Sequence, residues 1–144
     1  MTIIVIMNVI VYRKQHKIKI SSISNKTSSD VKYGFFGLKA VTSGILTSKQ
    51  LEATRRVVSR ETKRTGKIFI RVFFILAITK KPLMSRMGKG SGPIKGWVAI
   101  IKKGMILLEL SGVNERNSIS SLKTAGLRLP LKVIVVSRAI YRLN

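Results

Sequence analysis

The sequence predicts a single α+β domain, and three observations carry that reading. One segment has helical periodicity with a start signal at one end and a stop signal at the other. Several short β-rich runs alternate with helical stretches in an order that does not require all strands to be parallel. The chain has 144 residues, a length that suits one domain able to bury a core without disulfide staples.

Residues 1–12, "MTIIVIMNVIVY", open the chain with an apolar run. A membrane span needs about 20 apolar residues. A secretory signal needs a positive region before its apolar core and a small-residue cleavage site after it. Neither condition is met, and the cations come only afterwards, at Arg13, Lys14 and Lys17. The run is therefore expected to be a buried strand or a docked arm, with a membrane or targeting segment as the alternative. It also lacks the amphipathic, Arg-rich pattern of a mitochondrial presequence. Residues 18–30 read as a polar connector, and residues 31–46 as extended chain with bends at Gly34, Gly37 and Gly44.

Thr47 followed by Gln50 is a capping-box signature and Gly66 a natural stop, so a helix is predicted over 48–65. At about 100° per residue, Leu51, Thr54, Val58, Thr62 and Thr65 share one arc. Lys49, Arg55, Arg56, Arg60, Lys63 and Arg64 occupy the opposite half. Glu52 can pair with Arg56 at i,i+4, but Glu61 points about half a turn away, leaving most of these cations without an intrahelical partner. The same spacing prevents the two carboxylates from converging on one substrate as an acid/base pair.

Residues 67–78, "KIFIRVFFILAI", read as a core strand interrupted by Arg71. "WVAII" and "MILLEL" flank Lys102, Lys103 and Gly104, which predicts a hairpin with a left-handed glycine. A second helix is expected from near Asn114 to before Pro130, and a last strand over 131–138.

Residues 79–96, "TKKPLMSRMGKGSGPIKG", are too long a connection for a compact domain unless they have a function of their own. A Walker phosphate loop needs G-x-x-x-x-G-K-[ST], but the fifth residue after Gly88 is Pro93 and after Gly90 is Lys95. The dinucleotide fingerprint G-x-G-x-x-G fails at the same two positions. What remains is an acid-free, glycine-rich segment carrying Lys80, Lys81, Arg86, Lys89 and Lys95, suited to close approach to phosphates.

Charge and composition narrow the function. Lys and Arg number 28 against five acids, for a net charge of +23, and such a chain repels itself unless a polyanion neutralises it. Without cysteine there is no thiolate chemistry, iron–sulfur cluster or Cys-based zinc site. His16 is the single histidine and lies in a basic arm. Asp30, Glu52, Glu61, Glu109 and Glu115 are scattered without metal-ligand spacing, and Glu109 reads as a salt-bridge partner. Trp97 reads as core rather than as a base-stacking residue. Met84 and Met87 flank Arg86 either as wedges against bases or as gap-fillers. An enzyme is thus disfavoured. A free-standing nucleic-acid regulator would need a recognition helix or zinc finger, and neither pattern is present.

Seven stretches then fall in a familiar order: "YRKQHK" (12–17), "YGFFGLKAV" (33–41), "LTSKQLEATRR" (46–56), "KRTGKIFIRVF" (63–73), "ITKKPLMSRMGKGSG" (78–92), "GWVAIIKKGMILLELSGV" (96–113) and "LRLPLKVIVV" (127–136). The chain resembles the large-subunit ribosomal protein L-sixteen family of bacterial and organellar type, over about residues 12–137. The resemblance implies a hammerhead-like α+β domain over 12–144, with a mixed or antiparallel sheet, two helices and a long basic loop, preceded by a divergent arm at 1–11. It implies a structural constituent of the large ribosomal subunit that binds large-subunit rRNA and helps shape the aminoacyl-tRNA site near the peptidyl-transferase region. Neighbouring large-subunit proteins would be partners; catalysis, cofactor, metal, small-molecule substrate and membrane span are not implied. The implied rRNA-binding residues are Tyr12, Arg13, Lys14, His16, Lys17, Lys39, Arg55, Arg56, Arg60, Lys63, Arg64, Lys67 and Arg71. The loop facing tRNA would carry Lys80, Lys81, Arg86, Met87, Gly88, Lys89 and Gly90.

Four departures from the family pattern stand out. Phe69 replaces a usual tryptophan, removing an indole donor, and Ser91 replaces a usual lysine. "FFILAIT" replaces a polar, proline-containing turn, and "MTIIVIMNVI" replaces a short basic start. The two apolar replacements suggest an apolar protein neighbour or lost rRNA. Isoleucine occurs 19 times against six alanines, as in A+T-rich genomes. This favours a protein made inside a mitochondrion, with a plastid or a bacterial cytoplasm as the alternative.

Overall fold

Two antiparallel sheets and two helices form the fold, seen in a computed structural model that describes Lys14 and residues 30–138. The apolar arm at 1–11, the connector up to 29, and Tyr12, Arg13, His16 and Lys17 lie outside the described residues. In chain order the elements are β1 (Phe36–Ala40), β2 (Gly44–Thr47), α1 (Ser48–Glu61), β3 (Lys67–Ile70), β4 (Leu76–Thr79), β5 (Ile94–Ile101), β6 (Ile106–Ser111), α2 (Glu115–Gly126) and β7 (Val133–Ser137). One sheet has the order β3-β6-β1-β7 and the other β2-β5-β4. Helix α2 packs on β1 and β7, α1 on β2 and β5, and the helices on each other, so the two sheets share one body. The α+β class and the two helices agree with the sequence reading.

The core follows from strand alternation. Phe36, Leu38 and Ala40 point to one side of β1 and are buried. They meet Leu108 and Leu110 of β6, Leu122 and Ala125 of α2, and, from the other sheet, Leu46, Ala99 and Ile101. Helix α1 contributes Leu51 and Val58, with Thr54 and Thr62 also buried on the same arc. Each buried hydroxyl donates back to its own helix: Thr54 Oγ1 to the Gln50 carbonyl and Thr62 Oγ1 to the Val58 carbonyl, both at 2.9 Å. These threonines can therefore stand in an apolar core without an unsatisfied polar atom.

The capping box is formed as expected. The Gln50 N–H donates to Thr47 Oγ1, and the Thr47 N–H donates to Gln50 Oε1. The other end of α1 differs from the reading: the helix stops at Glu61, not at residue 65. Lys63 and Arg64 take left-handed φ angles of 50° and 64°, and the Arg64 N–H reaches back to the Ser59 carbonyl. Non-glycine residues thus close the helix, before Gly66 is reached.

Two strand expectations are also corrected. The run 67–78 is two strands in different sheets, β3 and β4, joined by residues 71–75. Along the crossing Val72 turns inward while Phe73 is 77% exposed. The stretches flanking Gly104 are not a hairpin either, because β5 and β6 belong to different sheets. Gly104 does adopt φ 89°, but its N–H donates to the Ala40 carbonyl, and the Ala40 N–H to that of Met105. The turn is held by β1, which pairs with β6 in the place β5 would have taken. Strand β5 also starts earlier than the sequence suggested, at Ile94, which shortens the long loop to Lys80–Pro93.

Thr47→Ala removes a cap that serves both partners of the box, and is expected to lower stability by about 1 kcal/mol. Urea denaturation of the two proteins checks this, with a shifted midpoint at unchanged slope as the expected result.

Candidate nucleic-acid interface

The charged groups fall into an interior set and an exterior set. Glu109 lies in the middle of β6 with none of its surface exposed. A carboxylate so placed would be very costly unless fully hydrogen-bonded. It accepts from the backbone N–H groups of Lys32, Tyr33 and Gly34, the last at 2.8 Å, and from the guanidinium of Arg71. Burial pushes its pKa up, but the N–H groups of Gly34, Tyr33 and Lys32, with Arg71, outweigh that and hold the carboxyl below its ordinary range. Glu109 is thus the salt-bridge partner the sequence suggested, with Arg71 as the other half.

Arg71 accordingly differs from the other cations expected to face RNA. Its side chain is only 16% exposed and is engaged by Glu109. Lys39 is half-buried on β1, on the side of the strand opposite Leu38 and Ala40. Neither residue belongs to the cationic face of α1.

That face carries the exterior set. Lys49, Arg56 and Arg60 are exposed on α1, with Lys63 and Arg64 exposed in the turn that follows. Glu52 pairs with both Arg55, at 2.8 Å, and Arg56, at 3.0 Å. The Arg55 fork, against some burial and with help from Arg56, brings the Glu52 pKa to about 2. This acid therefore stays ionised and offsets part of the charge near the start of the face, whereas no described acid pairs with Arg60. Beside it, Lys49, Arg56, Arg60 and Arg128 line a cleft of about 460 Å³ together with Glu52, Ala53 and Val57. Arg128, just past α2, was not among the residues singled out from the sequence. Helix periodicity could not have found it, since only the packing of α2 on α1 brings it there.

The long loop Lys80–Pro93, a finger between β4 and β5, carries the second exterior cation group. Its base is closed by the Lys80 N–H donating to the Pro93 carbonyl at 3.1 Å. Gly92 is needed there, because a Cβ would lie 2.7 Å from the Lys80 carbonyl carbon and oxygen. Farther out, Gly88, Lys89 and Gly90 all have positive φ, and the Lys81 ammonium donates to the Gly88 carbonyl. Lys80, Arg86 and Lys89 are exposed, as are Met84 and Met87, which reach solvent almost completely. The methionines therefore fill no gap within the described fold. Trp97 is half-buried opposite Ala77.

Among the described residues no three His, Asp or Glu side chains gather as a metal site, and no helix is long and apolar enough to cross a membrane. A groove of about 1010 Å³ beside α2 and β7 is lined mainly by aliphatic side chains such as Ile119, Leu129, Leu131 and Val133. What the fold presents is a basic scaffold: an apolar core with one fully paired carboxylate inside it, and cations on a helix face and a finger outside.

The comparisons with known proteins define that scaffold further. The ribosomal protein L16p/L10e family profile matches residues 8–136. Two bacterial proteins, each named large ribosomal subunit protein uL16, are similar to the chain. One is from Psychrobacter cryohalolentis and one from Buchnera aphidicola subsp. Baizongia pistaciae; each is 46% identical over 129 residues, 90% of this chain and 93% of the relative. The chain belongs to the ribosomal protein L16p/L10e family, and is a structural ribosomal protein rather than an enzyme.

The internal carboxylate makes two predictions. Glu109→Ala leaves Arg71 and three N–H groups without their acceptor, and is expected to cost about 3–5 kcal/mol by chemical denaturation. In the native protein the depressed pKa of Glu109 stabilises the fold fully above the ordinary carboxylate pKa. That stability is lost as pH falls through the folded-state value. Unfolding midpoints should therefore decline on acidification below about pH 4.5, and decline less in Glu109→Gln; equal declines would contradict the assignment.

Proposed function

We propose that the protein is a constituent of the large ribosomal subunit that binds large-subunit rRNA through the cationic face of α1 and presents the finger Lys80–Pro93 toward aminoacyl-site tRNA near the peptidyl-transferase region. The observation that carries this is the distribution of charge. Lys49, Arg56, Arg60 and Arg128 meet at one cleft, and the finger holds four cations over Lys80–Pro93, with a fifth, Lys95, just past it on β5, and no acid among them. Such surfaces read folded RNA through phosphates and shape more than through sequence. Arg55, Lys63, Arg64 and Lys67 extend the rRNA-facing set, and Lys80, Lys81, Arg86, Met87, Gly88, Lys89 and Gly90 form the tRNA-facing one. Lys14, exposed, and Tyr12, Arg13, His16 and Lys17 would add a basic arm. Lys39 and Arg71 would contribute from the four-stranded sheet, Arg71 chiefly by holding its surroundings in place.

Family membership supports this reading, because the relatives are named as large-subunit proteins. Neighbouring large-subunit proteins follow as partners, and exposed Phe73 and Ile75 in the stretch "FFILAIT" offer an apolar contact for one of them. The isoleucine-rich composition supports a mitochondrial address, while the bacterial relatives fit the bacterial alternative equally well.

Roughly six to ten phosphate contacts would lose about 10³ to 10⁵ in affinity between 50 and 200 mM salt. Filter binding of the purified chain to large-subunit rRNA tests this; a flat salt profile would contradict it. Replacing both Arg60 and Arg128 by Ala should reduce the salt slope by about two, one for each phosphate deprived of its cation. Arg86→Ala should leave subunit assembly intact but slow tRNA accommodation, so unchanged translation rates would remove the finger from the proposal.

A further inference from the structure

Beside the buried Glu109, the structure carries an aromatic group that the charge-based reading does not use. Tyr33 and Phe69 are stacked, with ring centroids 5.7 Å apart and planes 28° from parallel. Each ring has its own cation: the Arg71 guanidinium lies 5.2 Å from the Tyr33 centroid, and the Lys67 ammonium 5.3 Å from that of Phe69. Lys67, Phe69 and Arg71 alternate along one side of β3 and its extension, so a single strand edge supplies both cations and one ring.

Two features separate this group from ordinary core packing. Tyr33 is 62% exposed, far more than an aromatic ring used to fill an interior. The group is also held from beneath, since Glu109 accepts the Tyr33 N–H at 2.6 Å and grips Arg71 at the same time. The backbone bearing Tyr33 and the guanidinium over its ring are thus fixed by one carboxylate, which is itself hidden from solvent. A ligand meets the Tyr33 ring and the exposed Lys67 without meeting the negative charge that lies beneath them.

We infer that Tyr33 and Phe69, with Arg71 and Lys67, form a preorganised platform on which an unpaired RNA base stacks. The inference rests on the RNA-binding reading and adds to it a site for a nucleobase rather than a phosphate. A purine or pyrimidine ring gains by stacking on an exposed aromatic face, and the exposed Lys67 ammonium is placed to hold a neighbouring phosphate, while Arg71, engaged by Glu109, keeps the Tyr33 ring in position. Base-paired RNA offers no free face and would not use the platform.

The test compares two probes on the full-length purified chain: a short single-stranded oligoadenylate and a blunt RNA duplex of equal charge. Tyr33→Ala should weaken oligoadenylate binding roughly tenfold, leave duplex binding within about twofold of wild type, and be matched by no loss in Tyr33→Phe. As a check independent of truncation, Tyr33→Trp keeps an aromatic ring and adds a reporter. Its emission, measured against the wild-type signal of Trp97, should fall on saturation with oligoadenylate but not with duplex. Undiminished oligoadenylate binding by Tyr33→Ala, or unchanged Y33W emission at saturation, would overturn the platform while leaving phosphate binding standing. Failure of the wild-type chain to bind either RNA would instead overturn the RNA-binding reading beneath it.

Discussion

The fold depends on one buried carboxylate. Glu109 gathers three backbone N–H groups from residues 32–34 and the Arg71 side chain around a point with no access to water. Isolated, that charge would be very unfavourable; with four donor groups it becomes a fixed acceptor that several chain segments share. It holds the approach to β1 against β6, and it holds the end of β3 at the point where the chain leaves the four-stranded sheet for the three-stranded one. The position of Tyr33 and the inward turn of Arg71 both follow from where that acceptor lies.

A second constraint is charge balance. With 28 basic residues and five acids, the protein cannot neutralise itself. Two of those acids are held by arginines, Glu52 by Arg55 and Arg56 and Glu109 by Arg71. The cations of the α1 cleft beyond Glu52 and those of the finger are left facing outward. Self-repulsion of this kind is relieved by a polyanion, whose released counterions add to the gain. For a member of a ribosomal protein family, rRNA is the polyanion at hand. The exposed methionines of the finger and Phe73 of the crossing are surfaces that a folded monomer alone would have little reason to show.

The parts of this architecture legible in the sequence were those decided locally. The Thr47–Gln50 box, the inward arc of α1, the span of α2 and the identity of the basic loop each depend on residues a few positions apart. The parts missed depend on distant partners. Whether β5 and β6 pair with each other or join separate sheets is decided by β1, which competes for the edge of β6 and binds the intervening turn through Ala40. The run 67–78 looks continuous, but its first half pairs with β6 and its last with β5, distant strands that belong to different sheets. The close of α1 relied on left-handed Lys63 and Arg64, residue types that carry no signal for that conformation. In the interface, the helix face was readable from periodicity, but Arg128 reaches it only through tertiary packing, and Arg71 turned inward for the same kind of reason.

The central claim is that this basic scaffold resides in a large ribosomal subunit, held there by its contacts with rRNA. The most direct measurement is gradient sedimentation of the tagged protein from a lysate, with each fraction scored for large-subunit rRNA before and after a high-salt wash. The account predicts co-migration with the large subunit that survives the wash, since in the assembled subunit the protein is enclosed by folded rRNA and neighbouring proteins and does not depend on phosphate contacts alone. Migration as free protein, or with nucleic acid other than large-subunit rRNA, would contradict it.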